Sequence, residues 1–423
     1  MADAGRRRIL LVEVAEDGTV GGSHQCLLDI VTHLDRDRFE PRVLFYQSNP
    51  FVPRLEALGH AVTTWDRERL AERSSQGLGY LLVGLPRGIA RRAAWLRRER
   101  IDVVHLNNSP ALDVELWAPA CRLAGVRMVA HCRGPLRTSL AGYTLSPVRR
   151  RLVAGTERIM AISGLVRDEV LAAGVPADRV TVVYDGIDVR AWTPPAAADG
   201  IEVRREFAVA ADDLLLLLPG NIKRWKGQLA ALEAAALLPA PLRARMRMLL
   251  AGGVTTRPDD VAYARELERR IGELAASGGP RVSMLGRRAD MRRLMGAADV
   301  VLHASVSAEP FGLVVVEALA LGKPLVASAL GGPSEIVGDA GLLADPADAP
   351  AYAAALERVL GDAALRASLA SRARARAERF DVRETVREIE SVYDGSFRPR
   401  PAPLPEAPRS PVIVAGMPWR LEQ

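Results

Sequence analysis

The chain has 423 residues, of which 49% are hydrophobic, and its formal net charge is +6. This length and apolar content favour two globular domains, and so small a charge without interleaved aromatic residues argues against nucleic-acid binding. The three cysteines are widely spaced, which excludes a disulfide framework, and the apolar runs are shorter than the ~18 residues of a membrane span, so we expect a cytoplasmic protein.

Six short apolar segments in the first half predict β-strands that are buried on both faces. They are residues 8–14, 41–46, 101–106, 126–131, 157–163 and 179–184. Longer helical patterns lie between them, and this alternation predicts a doubly wound parallel sheet. We therefore expect a first α/β domain over residues 1–192, followed by a Pro- and Ala-rich linker over 193–203.

Five further strands are predicted in the second half, with helical patterns such as 222–238 and 259–276 between them. The strands are residues 213–220, 245–253, 281–286, 298–305 and 323–328. They predict a second Rossmann-like domain over 204–375, a last helix over 376–396 and a proline-rich, disordered tail over 397–423. Because doubly wound sheets bind ligands beyond the carboxyl ends of their strands, two such domains predict a ligand in the cleft between them.

Two glycines, Gly21 and Gly22, follow the first predicted strand. Glycines at such a position allow a backbone to approach a ligand closely. The spacing is not GxGxxG, so a dinucleotide site is not supported.

Polar side chains also end two other strands of the first domain. His131 is the last residue of one predicted strand and Arg133 follows it, and His105 and Asn107 lie at the end of the strand before it. Because these positions face the predicted ligand edge, we interpret His131 as an active-site residue and the other three as candidates for contacts to a ligand. The alternative for each histidine is a structural role with hydrogen bonds inside the domain.

The segment 86-PRGIARRAAWLRRER-100 contains six arginines and one glutamate. A basic amphipathic helix of this kind can lie on an anionic membrane, which would place the protein at the inner face of the membrane. The alternative is an ordinary helix that packs on the sheet and leaves its basic face in solvent.

The loop 219-PGNIKRWKGQ-228 holds two of the three lysines in a chain with 57 lysines and arginines. Gly220 ends a predicted strand and Gly227 opens a helix. The amino end of a helix binds anions, and lysine adds a compact charge on a flexible stem. We interpret Lys226 as a ligand of a diphosphate; the alternative is a solvated turn, and the role of Lys223 is open.

The segment 303-HASVSAEPFGLVVVEALALGKP-324 places Glu309 and Glu317 eight residues apart, on either side of a predicted helix start. Backbone N–H groups of Phe311, Gly312 and Leu313 could bind phosphate there, while carboxylates accept from sugar hydroxyls. The alternatives are a helix-capping role for Glu309 and a surface position for Glu317. The later stretch 330-LGGPSEIV-337 adds two glycines after a strand, which alone is a weak signal.

These motifs, in this order, resemble family 4 of the retaining glycosyltransferases. They are the first glycine pair, AIS at 161–163, DGID at 185–188, the lysine loop at 220–227, GG at 252–253, E-x₇-E at 309–317 and GGPSE at 331–335. The resemblance spans roughly residues 8–395 and implies the GT-B fold, two Rossmann-like domains with a nucleotide-sugar in the cleft between them. It also implies that the last helix crosses back to pack on the first domain.

The resemblance also implies roles for individual residues. Its implied catalytic residues are His131, Glu309 and Lys226, and the candidates for the acceptor side are His105, Asn107 and Arg133. Its implied donor-binding residues are Gly21, Gly22, Asn221, Arg224, Lys226, Phe311, Gly312, Leu313 and Glu317, with Lys226 on the diphosphate and Glu317 on the ribose. The chain departs from the family at Asn221, where arginine is usual, and at Asp185, where asparagine is frequent. Arg224 or Lys223 could supply the missing cation.

The implied reaction is transfer of a sugar, with retention, from a nucleoside-diphosphate sugar to an acceptor hydroxyl. A UDP-sugar is the first expectation and a GDP-sugar the second, and the acceptor is a small molecule, a glycolipid or a glycan. We expect neither a metal nor another cofactor. The alternatives are a nucleotide-sugar epimerase of the same fold and a catalytically silent homologue that binds nucleotide-sugars.

Overall fold

The structure is a computed structural model that describes residues 5–13, 22–65, 80–107, 114–134 and 156–397. The chain divides into two compact units. The second unit is Val189–Phe380, and the first contains the described residues before Val189 together with those from Asp381 to Phe397. These boundaries differ from the domain limits at 192 and 376 that the sequence suggested. The predicted tail over 397–423 lies outside the described residues, apart from Phe397.

Seven parallel strands form the sheet of the first unit, as far as its residues are described. They are β1 (Arg7–Glu13), β2 (Phe39–Phe45), β3 (Ala61–Thr64), β4 (Val103–Leu106), β5 (Arg127–Cys132), β6 (Arg158–Ala161) and β7 (Val180–Val182). Their spatial order is β3-β2-β1-β4-β5-β6-β7, so the strand order reverses between β1 and β4. The six predicted strands are present. The sequence missed β3, because its four residues are half-buried or exposed and therefore form no apolar run.

Helices of the first unit lie between these strands. They are α1 (Gly22–His33), α2 (Phe51–Ala57), α3 (Leu85–Arg98), α4 (Val114–Ala124) and α5 (Gly164–Ala172). A single π-helical turn, Tyr80–Gly84, precedes α3. Strand residues such as those at 9–12 of β1 are completely buried, which explains why the strands are apolar without alternation.

The sheet of the second unit contains six parallel strands. They are β8 (Leu214–Pro219), β9 (Met246–Ala251), β10 (Arg281–Gly286), β11 (Val300–His303), β12 (Leu325–Ser328) and β13 (Leu342–Ala344). In the order β10-β9-β8-β11-β12-β13, the reversal falls between β8 and β11. The five predicted strands are present. The sequence missed β13, a half-buried edge strand of three residues.

The helices of the second unit fill the connections between its strands. They are α6 (Ala197–Glu206), α7 (Gln228–Ala236), α8 (Ala240–Arg245), α9 (Pro258–Ala276), α10 (Met291–Ala297), α11 (Leu313–Ala320), α12 (Gly332–Val337), α13 (Ala349–Gly361) and α14 (Ala363–Ala377). Most of the predicted linker over 193–203 belongs to α6. The helix predicted from residue 222 begins only at Gln228, because Gly227 before it has φ +69°, outside the helical region.

The last helix, α15 (Val382–Asp394), belongs to the first unit although it follows the second unit in the chain. Its backbone enters beside the segment that follows β7, where the N–H of Val382 donates to the carbonyl of Ile187 at 2.8 Å. Val386, Ile389 and Tyr393 are then buried in the core of the first unit. In the described residues, none of the helices has both the length and the apolar character that crossing a membrane requires.

Candidate functional site

The loops after β8 and β11 meet where the strand order of the second sheet reverses. A Cβ atom on Gly227 would lie 1.8 Å from the carbonyl oxygen of Ala304, so only glycine permits this approach. The N–H of Val306 donates to the carbonyl of Trp225 at 2.9 Å. This edge is where doubly wound sheets bind ligands, and the two loops present their side chains there together.

Lys226 and Glu309 form an ion pair in these loops. Lys226 Nζ lies 2.7 Å from Glu309 Oε1 and 4.2 Å from the centre of the Trp225 ring, so a carboxylate and an aromatic face hold the ammonium group. The second carboxylate oxygen, Oε2, lies 2.6 Å from His303 Nε2 and 2.6 Å from Ser305 Oγ. The lysine and the glutamate were predicted from the sequence, whereas the histidine and the serine were missed.

Glu309 is ionised in this environment. Burial alone would raise its pKa, but the attraction of His303 and Lys226, which both donate to it, outweighs burial and holds the pKa well below its usual range. The residue is only 9% exposed. The N-cap residue of α11 is Gly312 rather than Glu309. The glutamate is therefore a carboxylate held by side chains of its own unit, and it can accept hydrogen bonds from hydroxyl groups.

The start of α11 lies directly after this cluster. Phe311 is buried, Gly312 has φ +104°, and Leu313 is the first helical residue. Glu317 lies one turn further and is half-buried, which fits neither a freely exposed surface position nor a completely buried one. The amino end of α11 thus offers backbone N–H groups close to the carboxylate of Glu309.

The glycine loop after β12 completes this edge. The N–H of Gly332 donates to the backbone carbonyl of Glu309 at 2.8 Å. A Cβ atom on Gly332 would lie 2.6 Å from both Phe311 Cα and the Pro310 carbonyl oxygen, too close for any side chain. The sequence treated these glycines as a weak signal, and the structure shows that they position the backbone of Glu309.

Lys223 and Arg224 are directed towards α9. Lys223 Nζ lies 4.0 Å from Asp260 Oδ2. The guanidinium group of Arg224 lies 2.6 Å from Glu266 and 5.0 Å from the centre of the Tyr263 ring, with two thirds of its side chain exposed. Both candidate replacements for the usual arginine are thus engaged by residues of α9.

Asn221 stands where family 4 glycosyltransferases usually have an arginine, and it is exposed. Its backbone carbonyl accepts from Gln228 Nε2 at 3.0 Å. A Cβ atom on Gly252 would lie 1.8 Å from the carbonyl oxygen of Gly220, so the ends of β8 and β9 approach closely here. The structure places Asn221 next to this backbone contact.

In the first unit, the carboxyl ends of β1, β4 and β5 bring a second polar cluster together. Asn107 Nδ2 donates to Glu13 Oε2 at 2.5 Å, and Arg133 Nε donates to the Asn107 carbonyl at 2.8 Å. Arg133 also forms an ion pair with Asp185, and both side chains are less than 10% exposed. The buried acid beside Arg133 gives a physical reason for aspartate at 185, because a buried guanidinium group requires a partner.

His131 and His105 lie under this cluster as neutral rings. His131 Nε2 donates to the Val183 carbonyl at 3.3 Å, and its Nδ1 accepts from Arg133 at 3.1 Å. His105 Nδ1 lies 2.6 Å from Tyr393 Oη, and the ring centres of the two histidines are 5.6 Å apart. Burial, followed by the charge of Arg133, lowers the pKa of His105 to about 3 and that of His131 well below its usual value. Both nitrogens of His131 are therefore engaged inside the unit.

The remaining candidates of the first unit are the glycine pair. Gly22 is the first residue of α1 and is exposed. Gly21 lies outside the described residues, so the structure gives no position for it.

The basic segment forms most of α3, and one face of it is buried. Arg92 is 2% exposed, with its guanidinium carbon 5.4 Å from the ring centre of Trp65 and 5.6 Å from that of Trp117. The other five arginines of the segment are exposed. Leu82 and Val83, in the π-helical turn before α3, are 67% and 45% exposed.

Comparison with known proteins identifies both halves of the chain. Residues 20–191 match the family described as Glycosyltransferase Family 4, and residues 200–376 match Glycosyl transferases group 1. Among curated relatives, the D-inositol 3-phosphate glycosyltransferase of Xylanimonas cellulosilytica is 32% identical over 333 residues, which are 74% of this chain and 72% of the relative. The alpha-maltose-1-phosphate synthase of Mycolicibacterium smegmatis is 34% identical over 243 residues, 54% of this chain and 61% of the relative.

Solved structures agree with these matches. The Anabaena protein HepE, crystallised in complex with UDP and glucose, is 27% identical with a TM-score of 0.76, and the match covers 92% of this chain and all of HepE. The sucrose-phosphate synthase of Thermosynechococcus elongatus, at 21% identity and a TM-score of 0.69 over 92% of this chain and 99% of that one, shares the fold. The chain therefore belongs to glycosyltransferase family 4, and it is a glycosyltransferase built from two Rossmann-like units of the GT-B type.

Proposed function

We propose that the protein transfers a sugar from a nucleoside-diphosphate sugar to an acceptor hydroxyl, with retention at the anomeric carbon and without a metal. A UDP-sugar is the preferred donor and a GDP-sugar the second candidate. The observation that carries the proposal is the Lys226–Glu309 pair at the carboxyl edge of the second sheet, directly before the amino end of α11. The complex of HepE with UDP and glucose supports this choice of donor.

In the proposed reaction, negative charge develops on the diphosphate as the glycosidic bond breaks. Lys226 and the N–H groups at the start of α11 stabilise that charge. Glu309 accepts from hydroxyls of the transferred sugar, and Glu317 accepts from those of the ribose. The acceptor hydroxyl attacks on the face that the diphosphate leaves, and its proton passes to the departing phosphate oxygen.

One feature supports a reaction without metal. Lys226 supplies a positive charge at the place where a divalent cation would otherwise act on the diphosphate. His131 serves in this proposal by holding Arg133, since both of its ring nitrogens are engaged and it has no lone pair free for a proton.

The experiment combines donor binding with product analysis. Thermal shifts are measured with UDP, GDP, ADP and TDP, with EDTA and then with Mg²⁺, because a ligand of the folded state raises the Tm. The matching sugar nucleotides are then supplied with candidate acceptors, beginning with D-inositol 3-phosphate because several relatives are named for it. We expect UDP to stabilise the protein in EDTA and the product to keep the donor's anomeric configuration by NMR.

The same assay separates the alternatives. A changed sugar nucleotide in the absence of any acceptor would indicate an epimerase. A thermal shift with UDP, without release of UDP from any donor and acceptor pair, would indicate a silent homologue. Activity that EDTA abolishes and Mg²⁺ restores would contradict the proposal that no metal is needed.

We further propose that α3 and the turn before it contact an anionic lipid surface, which would bring a membrane-bound acceptor to the enzyme. The exposed arginines of α3 lie next to the exposed Leu82 and Val83, and this combination suits an anionic membrane. Flotation with anionic vesicles, but not with zwitterionic ones, is expected at low salt. Replacing Leu82 with Asp should weaken it, and equal flotation with both vesicle types or with neither would contradict the proposal.

A further inference from the structure

His303 is a buried titratable group beside Glu309 to which the proposed reaction gives no role. It is the last residue of β11 and 4% exposed. Its Nε2 lies 2.6 Å from Glu309 Oε2, and its Nδ1 faces the backbone N–H of Ser328 at 3.4 Å. Both ring nitrogens thus have partners, and one of these partners is the carboxylate assigned to the donor sugar.

The neighbouring strand selects the tautomer of this ring. A backbone N–H can only donate, so His303 Nδ1 must accept from Ser328 and carry no proton. The proton is therefore on Nε2, which donates to Glu309. Ser328 is the last residue of β12, and its own hydroxyl donates to the Ser305 carbonyl at 2.8 Å. The ends of β11 and β12 thus fix the ring and the serine that follows it.

Two donors share one oxygen of the carboxylate. Ser305 Oγ and His303 Nε2 each lie 2.6 Å from Glu309 Oε2, whereas Oε1 receives only Lys226, at 2.7 Å, among the hydrogen bonds described. Fixing Oε2 from two directions sets the plane of the carboxylate. Oε1 is consequently the oxygen that remains available to exchange partners.

We propose that His303 is a positioning residue of the donor site: as the Nε2–H tautomer it fixes one oxygen of Glu309, together with Ser305, and so directs the other oxygen to Lys226 and to a hydroxyl of the donor sugar. The inference rests on the proposed function, because it assigns Glu309 to the sugar. When the diphosphate attracts Lys226, His303 and Ser305 keep the carboxylate in place and ionised. The titratable groups that face Glu309 are then Lys226, from the loop after β8, and His303, from β11.

The first test compares His303→Leu with His303→Gln in the full chain. Glutamine can place an N–H group near the position of Nε2, and leucine cannot. We expect His303→Leu to lower kcat/KM for the donor about 10- to 100-fold and to move the acid limb of its pH profile upward, because Glu309 loses a donor and takes up a proton more readily. His303→Gln should recover most of the loss. His60→Leu, which replaces another buried histidine, should leave the profile unchanged.

A second readout does not depend on turnover. In protein labelled with ¹³C at the glutamate carboxyl carbons, the Glu309 resonance is assigned by its loss in Glu309→Gln. We expect it to titrate at higher pH in His303→Leu than in wild type, and in the same direction, by a smaller amount, in Ser305→Ala. Ser305→Ala also serves if the leucine variant does not fold.

The outcomes separate the inference from the proposed function. Identical Glu309 titration in wild type, His303→Leu and Ser305→Ala overturns the inference whether or not the protein transfers sugar. If the titration of Glu309 shifts but the enzyme uses no nucleoside-diphosphate sugar, the proposed function is wrong, whereas the interaction between His303 and Glu309 is supported. A leucine variant that transfers at the wild-type rate and pH profile also counts against the inference.

Discussion

At the scale of single residues, the contacts of Lys226 give a physical reason for a lysine in this arginine-rich chain. Its ammonium group is held by Glu309 and by the Trp225 ring, both reached through a flexible stem. An arginine would bring a planar, branched group that holds a carboxylate with two bonds and moves less readily. A compact charge that can pass from Glu309 to a diphosphate suits a reaction in which the charge develops during the step.

Replacing Lys226 with Met is therefore expected to lower kcat/KM for the donor about 10²- to 10³-fold. The expected cause is the loss of positive charge beside the leaving diphosphate. The comparison variant is Lys223→Met, whose ammonium group lies 4.0 Å from Asp260 and is directed towards α9. Steady-state kinetics with the donor that binds in the thermal-shift screen measure both. Near-normal rates for Lys226→Met would contradict the diphosphate role, and an equal loss in Lys223→Met would show that Lys223 supplies the second cation.

The buried histidines of the first unit should make the stability of the protein depend on pH. His105 has its pKa lowered from 6.5 to about 3, so the unfolded chain binds a proton at mildly acid pH that the folded chain does not. The contribution of neutral His105 to the free energy of unfolding is complete above pH 6.5 and is lost as the pH falls from 6.5 towards 3. Between pH 7 and pH 5, one such histidine should cost about 2 kcal/mol of unfolding free energy.

Urea unfolding of wild type and His105→Asn at these two pH values measures this contribution. Asparagine keeps a polar group near Tyr393 and does not titrate. We expect the fall in stability between pH 7 and pH 5 to be smaller in His105→Asn by roughly that amount. An unchanged pH dependence would show that His105 gains its proton without opposing the fold.

At the scale of elements, glycines decide how closely the loops at the carboxyl edge approach each other. The backbone of the loop after β12 packs against Pro310 and Phe311, which precede α11, and Gly332 is the residue in contact with them. We expect Gly332→Ala to displace the backbone of Glu309 and to weaken donor binding by about tenfold, since small misplacements in a site are costly. Calorimetric titration with UDP measures this effect.

Gly272→Ala is the matched control for that substitution. Gly272 lies inside α9, and no atom lies within 4 Å of the place where its Cβ would stand. Alanine favours helix over glycine by about 1 kcal/mol, so the Tm should rise and the affinity should not change. Equal affinity in Gly332→Ala and Gly272→Ala would refute the positioning role of the glycine loop.

Strand prediction is easiest where burial is complete. β1 and β8 are recognisable because residues 9–12 of β1 and all residues of β8 are covered on both faces and are therefore apolar. The edge strands β3 and β13 were missed, because half-buried strands of four and three residues carry too little pattern. His303 was missed for another reason. It lies at the end of an apolar strand, as His131 does, but in this segment only the E-x₇-E motif at 309–317 was interpreted as functional.

At the scale of the whole molecule, the first unit is built from two separate parts of the chain. Its core includes Val386, Ile389 and Tyr393 of α15, so the unit is complete only when the last helix is present. The same helix brings Tyr393 Oη within 2.6 Å of His105. The end of the described chain therefore contributes both to the core and to the polar cluster at the carboxyl edge.

Ile389→Ala should consequently destabilise the first unit by about 2–5 kcal/mol, as expected for a large buried side chain reduced to alanine. Arg387→Ala, on the exposed face of the same helix, is the control. Its side chain is 65% exposed and its ion pair with Glu384 lies on the surface, so its loss should cost little. Denaturant unfolding followed by two probes, one for each unit, would reveal the effect. Equal stability of the two variants would show that α15 is not part of the core.

The sequence by itself determined the two α/β units and the positions of most strands along the chain, and it singled out Lys226 and Glu309. These features depend on local apolar runs, on turn glycines and on motifs within short stretches, all of which can be read without knowing what they touch. Only the tertiary structure decided the partners of these side chains. Glu309 contacts His303 and Ser305, and Arg133 contacts Asp185. Arg224 pairs with Glu266 of α9. The physical reason is that a hydrogen bond or ion pair is directional and acts over about 3 Å, so its existence depends on where separate strands end in space.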